Sequence, residues 1–245
     1  MEMEYDFDRI IERKGTGAIK TDVLKDLYGR DDLTALWVAD MDFACADEIM
    51  EAIRKRAEHP VFGYTDYEQQ CADALLGFLE RRHGLVLKAE NHAMLPCVIT
   101  GLRTAVLTLT QPGDGVIIQS PVYGPFRMSV QATGRELLDA PLTRRADGGY
   151  DMDLAAVEAR LQQGAKLMIL CSPHNPTGRV WEREELESAF ALFEKYDVNV
   201  VSDEIWSDII MPGYKHIPTQ SVSEDAKMRT VAMYAPSKPF NLAGL

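Results

Sequence analysis

From Gln111 onward, short uninterrupted apolar runs alternate with longer segments whose apolar residues recur at helical spacing. The runs are Val116–Gln119, Leu167–Leu170, Val198–Val201 and Thr230–Tyr234, with a further short strand predicted at Arg135–Asp139. Val198–Val201, β-branched and without polar alternation, suits a strand buried on both faces. Between the runs, Phe126–Thr133, Asp153–Gln162 and Trp181–Tyr196 read as helices, the last rich in Glu, Leu, Ala and Phe. Strand, loop and helix in repetition predict an α/β chain with a mostly parallel sheet.

The first 110 residues are less regular. Residues 1–35 read as an arm with one short helix around Thr21–Tyr28 and turns at Gly15, Gly17 and Gly29. Leu36–Phe43 is an apolar run broken by Asp40 and Asp42, consistent with an extended segment laid on a core. Ala46–His59 is amphipathic, with Ile49, Ile53 and Ala57 on one face and Asp47 or its predecessor as cap. Pro60–Thr65 connects to a helix over Tyr67–His83 that Gly84 ends. Thr100 is the expected cap of a helix through Leu109, and Gly101 at its start would let an anion approach bare backbone amides.

Four of the predicted strands end in polar punctuation: Ser120–Tyr123, Cys171–Asn175, Ser202–Asp203 and, past Pro236, Ser237–Lys238. In an open parallel sheet ligands bind beyond the carboxyl ends of the strands, so Tyr123, Asn175, Asp203 and Lys238 are expected at one crevice. A partly desolvated lysine amine can condense with an aldehyde. Were that aldehyde pyridoxal 5'-phosphate, Asp203 suits the protonated ring nitrogen, Tyr123 can stack on the ring, and Asn175 can donate to its phenolate. The phosphate would rest on the amides of Gly101, Leu102 and Arg103. Taken singly, each residue has a plainer role: Lys238 as a surface lysine, Asp203 as cap of a helix over Glu204–Ile210, Asn175 as a turn former, Tyr123 as a core aromatic. His174 reads as setting loop geometry rather than as a base.

Charge narrows the partners. With 38 acidic and 26 basic side chains in 245 residues, the net charge of -12 repels phosphate backbones and argues against nucleic acid. No window approaches the roughly 18 consecutive apolar residues of a membrane helix. The acidic start Met1–Asp8 is unlike a signal peptide, so a cytoplasmic address is expected. Cys45, Cys71, Cys97 and Cys171 form no Cys-x-x-Cys pair and read as buried free thiols. Five scattered histidines lack metal-ligand spacing.

Seven segments together resemble the fold-type I pyridoxal-phosphate enzymes of the class I/II aminotransferase superfamily. They are Trp37–Phe43, Phe62–Thr65, Pro112–Gly115, Ser120–Phe126, Ser172–Arg179, Ser202–Ile205 and Ala235–Leu245. The Trp37 and His174 segments are most similar to the cystathionine β-lyase branch of the MalY/PatB type. The resemblance implies a three-layer α/β/α large domain over residues 46–245, incomplete at its carboxyl end, preceded at 1–45 by an arm and the start of a small domain. It implies Lys238 and Tyr123 as catalytic residues, with Lys238 carrying the cofactor and Asp203, Asn175 and Tyr123 holding its ring. Gly101, Leu102, Arg103 and Ser237 would cradle the phosphate, and Tyr64 would reach the phosphate of a neighbouring subunit in a homodimer. The implied activity is carbon–sulfur β-elimination on an amino-acid substrate, with transamination or a non-catalytic binding role as alternatives. Two departures stand out. Pro239 follows the lysine, where the family has a small or hydroxylated residue, and restricts it to extended geometry. The chain also stops at Leu245, where the family continues through a carboxyl-terminal small domain bearing the substrate-carboxylate arginine, so a truncated product is expected.

Overall fold

The computed structural model of the chain describes residues 5–66 and 68–245. They group into two compact units, one running up to Gly63 and taking in Pro236–Leu245, the other spanning Tyr64–Ala235. The boundary expected after residue 45 thus lies inside the first unit. Residues 1–4 of the acidic start, and Tyr67, the expected first residue of a helix, lie outside the described residues.

In the first unit, the single helix expected over 21–28 is two short ones, α1 (Ile19–Asp22) and α2 (Leu24–Tyr28). Gly29 closes α2 at φ 71, its amide donating to the Lys25 carbonyl at 2.8 Å. The turn before α1 is fastened by the Asp22 carboxylate, which accepts the amides of Gly15 and Gly17 at 3.0 and 2.8 Å. Both glycines have positive φ, which a β-carbon would resist. α3 (Asp47–Ala57) has no side-chain cap, contrary to expectation: Ala46 precedes it, and Asp47 is its first helical residue, where a negative charge suits the dipole. Its apolar face is not buried but lines a shallow groove, with Ile49, Ile53 and Ala57 beside Phe62, Leu242 and Leu245. The Leu36–Phe43 segment is extended or bent, and its aspartates are tied down. Arg13 meets Asp40 at 2.6 Å and Asp42 at 2.9 Å, and the buried Lys20 meets Asp42 at 2.9 Å.

The second unit begins with α4 (Glu68–His83), ended at Gly84 as expected, then α5 (Val98–Leu109), β1 (Gly115–Ile118), α6 (Gly124–Ala132) and β2 (Glu136–Asp139). A small hairpin, β3 (Thr143–Arg144) with β4 (Tyr150–Asp151), turns at Asp147–Gly149. There follow α7 (Leu154–Gln162), β5 (Leu167–Cys171), α8 (Arg183–Lys195), β6 (Asn199–Asp203), α9 (Glu224–Arg229) and β7 (Thr230–Met233). β2, β1, β5, β6 and β7 lie in that order in one all-parallel sheet.

Alternation along the strands builds two cores. Ile117, Met168, Leu170 and Val200 pack with Val157 and Leu161 of α7 and with Leu186, Ala189, Phe190 and Phe193 of α8. Val116, Ile118, Leu167, Ile169 and Val201 pack with Leu102, Ala105 and Val106 of α5 and with Phe126 and Val130 of α6. Successive strand residues point to opposite faces, so a strand between two helix layers must be apolar at every position, as β1 and β5 are. The result is the three-layer α/β/α arrangement. Caps set its register: Asp153 accepts the Ala156 amide, Ser223 that of Ala226, and Glu182 with Glu185 forms a capping box on α8.

Two expectations fail here. Glu204–Ile210 is a run of turns, not a helix capped by Asp203, because the Glu204 backbone stays with the sheet, its amide donating to Met233 O at 3.0 Å. Of the four free cysteines only Cys171 is buried; Cys97 is exposed, and Cys45 and Cys71 are half-buried. Among the described residues no helix is long and apolar enough to cross a membrane, and no cluster of His, Cys, Asp and Glu could hold a metal ion.

Phe193 has no solvent exposure and sits in the α8 core. Phe193→Ala should lower unfolding free energy by about 3–5 kcal/mol, read as a lower urea midpoint with unchanged slope.

Candidate functional site

The sheet order reverses at β1: the chain leaves β1 for β2 on one side and reaches β5 on the other. Such a switch point opens a crevice at the carboxyl ends of the two strands. The loops after β1 and β5 meet there, the Tyr123 amide donating to the Asn175 carbonyl at 3.0 Å. Tyr123 keeps 40% of its surface exposed while its ring stands edge-on to the fully buried Phe126, centroids 5.6 Å apart. One end of the tyrosine is therefore anchored and the rest is free to face a ligand.

Asp203 closes the adjacent strand. It pairs in register with Cys171, and its carbonyl accepts the Ser172 amide at 2.9 Å, so β5 and β6 end together. Its side chain is 5% exposed and accepts the Ile205 amide at 3.1 Å. Burial, and then the charge of Asp203, push the neighbouring Cys171 thiol up, so the sulfur stays protonated and accepts the Asn175 amide at 3.3 Å. Asn175 is thus held by sulfur on one side and Tyr123 on the other. At the same strand ends the Gln119 side-chain amide and the Ser202 hydroxyl are buried with no hydrogen-bond partner among the described residues. Orphaned polar groups of this kind mark a polar site beneath an otherwise apolar sheet.

His174 does set loop geometry. It is 2% exposed, its Nδ1 meets the Thr177 hydroxyl at 3.0 Å, and its ring packs edge-on against Trp181. The Arg179 side chain, whose Nη2 donates to both Glu185 carboxylate oxygens at 2.7 Å and whose Nε donates to Tyr150 O at 3.0 Å, secures the far end of the same loop.

The expected start of the helix is displaced by one turn. α5 starts at Val98 after Cys97, so Thr100 lies inside the helix instead of capping it, and the Gly101 amide donates to the Cys97 carbonyl at 3.0 Å. The amides without an intrahelical acceptor are those of Val98, Ile99 and Thr100. Leu102 is fully buried and Arg103 donates to the Ser129 hydroxyl at 3.1 Å. Gly101 has another reason to be glycine: a β-carbon there would stand 3.1 Å from the Met233 sulfur and 3.2 Å from Leu95. The Thr100 hydroxyl first, and then first-turn amides, hold the Cys97 thiol below its usual range, as expected where α5 presents its positive end.

Lys238 and Ser237 belong to the first unit, and Tyr64, fully exposed, opens the second. In its own unit Lys238 Nζ donates to the Ala39 carbonyl at 3.4 Å, within the Trp37–Phe43 segment.

The family model described as aminotransferase class I and II matches residues 31–245. The chain belongs to the aminotransferase class I and II family. It is 44% identical over 240 residues to cystathionine beta-lyase PatB of Bacillus subtilis (strain 168), covering 98% of this chain and 62% of the relative. It is 33% identical over 243 residues to protein MalY of Escherichia coli (strain K12), covering 98% and 61%. Cystalysin from Treponema denticola, a crystal structure containing pyridoxal 5'-phosphate, superposes with a TM-score of 0.93 at 36% identity, over 99% of this chain and 62% of that one. The chain spans about three fifths of the length of these family members.

One feature of this family member was not foreseen from its sequence. Glu204, next to Asp203, is completely buried, and its carboxylate accepts from His216 Nε2 at 2.8 Å, from the Thr219 amide at 3.0 Å and from the Thr219 and Tyr234 hydroxyls. Burial alone pushes this carboxyl up, but the donations from His216, Thr219 and Tyr234 outweigh it and leave it below its ordinary value. The partners are 12 to 30 residues away, which hid the cluster from local patterns.

Burial depresses the His174 pKa from 6.5 to about 4, the Gln119 backbone opposing weakly. Between those values the unfolded chain binds more protons than the folded one, so this contribution is complete above pH 6.5 and is lost as pH falls towards 4. Comparing His174→Gln with the parent isolates it. The parent should lose about 1–2 kcal/mol more than the variant on moving from pH 7 to pH 5, by urea denaturation.

Proposed function

We propose that the protein is a pyridoxal 5'-phosphate-dependent carbon–sulfur β-lyase, cleaving cystathionine and related cysteine S-conjugates to a thiol, pyruvate and ammonia. The observation that carries this reading is the buried Asp203 carboxylate ending β6, beside the Tyr123–Asn175 pair at the switch point. A buried anion suits a protonated ring nitrogen, a half-exposed phenol suits a ring face, and the first turn of α5 suits a phosphate. The residues present therefore fit the cofactor. The names of PatB and of the pyridoxal-phosphate-containing cystalysin support the same assignment.

When bound, the cofactor supplies an electron sink for charge developing at the substrate α-carbon. Asp203 would hold the proton on the ring nitrogen, Asn175 would orient the ring, and Tyr123 would cover it. The amides of Val98, Ile99 and Thr100 would hold the phosphate, with the Arg103 charge in support. Lys238 provides the amine that carries the cofactor and then, as general base, takes the α-proton of the amino-acid substrate. A homodimer with Tyr64 reaching across to its neighbour, and a cytoplasmic address, complete the reading. A second outcome, transamination, uses the same residues and is favoured by the family description over residues 31–245.

Incubated with cystathionine and pyridoxal phosphate, the protein should release pyruvate in step with thiol. Lys238→Ala should abolish release, and Asp203→Asn should slow it by a factor on the order of 100 or more. Amino-group transfer without pyruvate would overturn the lyase assignment.

A further inference from the structure

We propose that Asn241 is a positioning residue for Lys238, an inference that rests on the proposed role of that lysine. In the first unit the Asn241 side chain accepts the Met41 amide at 3.0 Å and donates to the Phe43 carbonyl at 3.0 Å. These two backbone groups flank Asp42, and one primary amide satisfies both, as a neighbouring strand would. Asn241 adopts φ 55, a left-handed conformation that asparagine tolerates better than other side-chain-bearing residues. Its own amide donates to the Lys238 carbonyl at 3.3 Å, and Leu242 donates to Ser237 at 3.1 Å, so 237–242 is a closed turn.

The turn carries Lys238, and the segment that Asn241 grips carries its acceptor, Ala39 O at 3.4 Å. A third link, from the Cys45 thiol to the Phe240 carbonyl at 3.4 Å, runs in the same direction. The gripped segment is itself immobilised where Arg13 and Lys20 hold Asp40 and Asp42. Pro239 leaves Lys238 little backbone freedom. Asn241 therefore fixes which carbonyl the ammonium rests against, across a sequence separation of 199 residues.

The variants are Asn241→Asp, which keeps the acceptor but sets a carboxylate against the Phe43 carbonyl, and Asn241→Ala, which removes both bonds. Without cofactor, a trace pulse of acetic anhydride followed by peptide mass spectrometry gives the ratio of Lys238 to Lys55 acetylation, Lys55 being an exposed lysine of α3. The ratio should rise about threefold or more in both variants, with faster hydrogen exchange at Met41, and half-saturation with pyridoxal phosphate should need about tenfold more cofactor. An unchanged ratio and unchanged half-saturation in both variants would overturn the role of Asn241. If the parent protein takes up no cofactor while the labelling ratio still rises, the clamp stands and the proposed function falls.

Discussion

The parallel pairing of β5 with β6 is the constraint on which the site depends. Its register runs from Leu167 opposite Asn199 to Cys171 opposite Asp203, and every β5 position, with Val200 and Val201 of β6, is committed to one of the two cores. A slip of one residue would exchange the faces of Leu167, Ile169 and Cys171 with those of Met168 and Leu170, each shaped to a different helix layer. Register fixed by packing fixes the rim: Asp203 lands beside Cys171, Ser172 donates to it, and the 172–179 loop springs from a defined height. The polar groups at the rim are positioned by the apolar residues beneath it.

Electrostatics at that rim follow from burial. Asp203 and Glu204 are consecutive carboxylates, both nearly or wholly removed from water. Glu204 is surrounded by donors from His216, Thr219 and Tyr234 and serves as a structural anion that ties β6, the 216–219 loop and the end of β7 together. Asp203 accepts the Ile205 amide and raises the neighbouring thiol. Two adjacent acids thus have separate duties because their surroundings differ. In the first unit the charges act differently, with Arg13 and Lys20 neutralising Asp40 and Asp42 so that an otherwise apolar segment can lie still.

The parallel sheet was legible because its strands are continuous apolar runs, and the α8 crossover because the segment is rich in Glu, Leu, Ala and Phe. Tyr123, Asn175 and Asp203 were legible as polar residues directly following those runs. The start of α5 was not: Cys97 is a weak sequence signal, whereas Thr100 and Gly101 look like a cap and a bare turn. That misreading placed the unpaired amides of the helix start one turn too late. The β3–β4 hairpin had a signal in Asp147-Gly148-Gly149, masked by the dominant strand–helix rhythm. The helix expected at 204–210 failed because sheet pairing and the buried Glu204 network overrode local propensity. Long-range clusters of that kind, like the Asn241 grip on Met41 and Phe43, join positions that no local spacing relates.

The central claim is that a vitamin B6 aldehyde is taken up by one particular amine of this chain. Reducing the cofactor-treated protein with borohydride and mapping the labelled peptide tests it most directly. The account predicts a single pyridoxyl group on Lys238, in the peptide that contains Pro239 and Asn241. A label on Lys20, Lys195 or any other lysine instead, or no label at all, would contradict it.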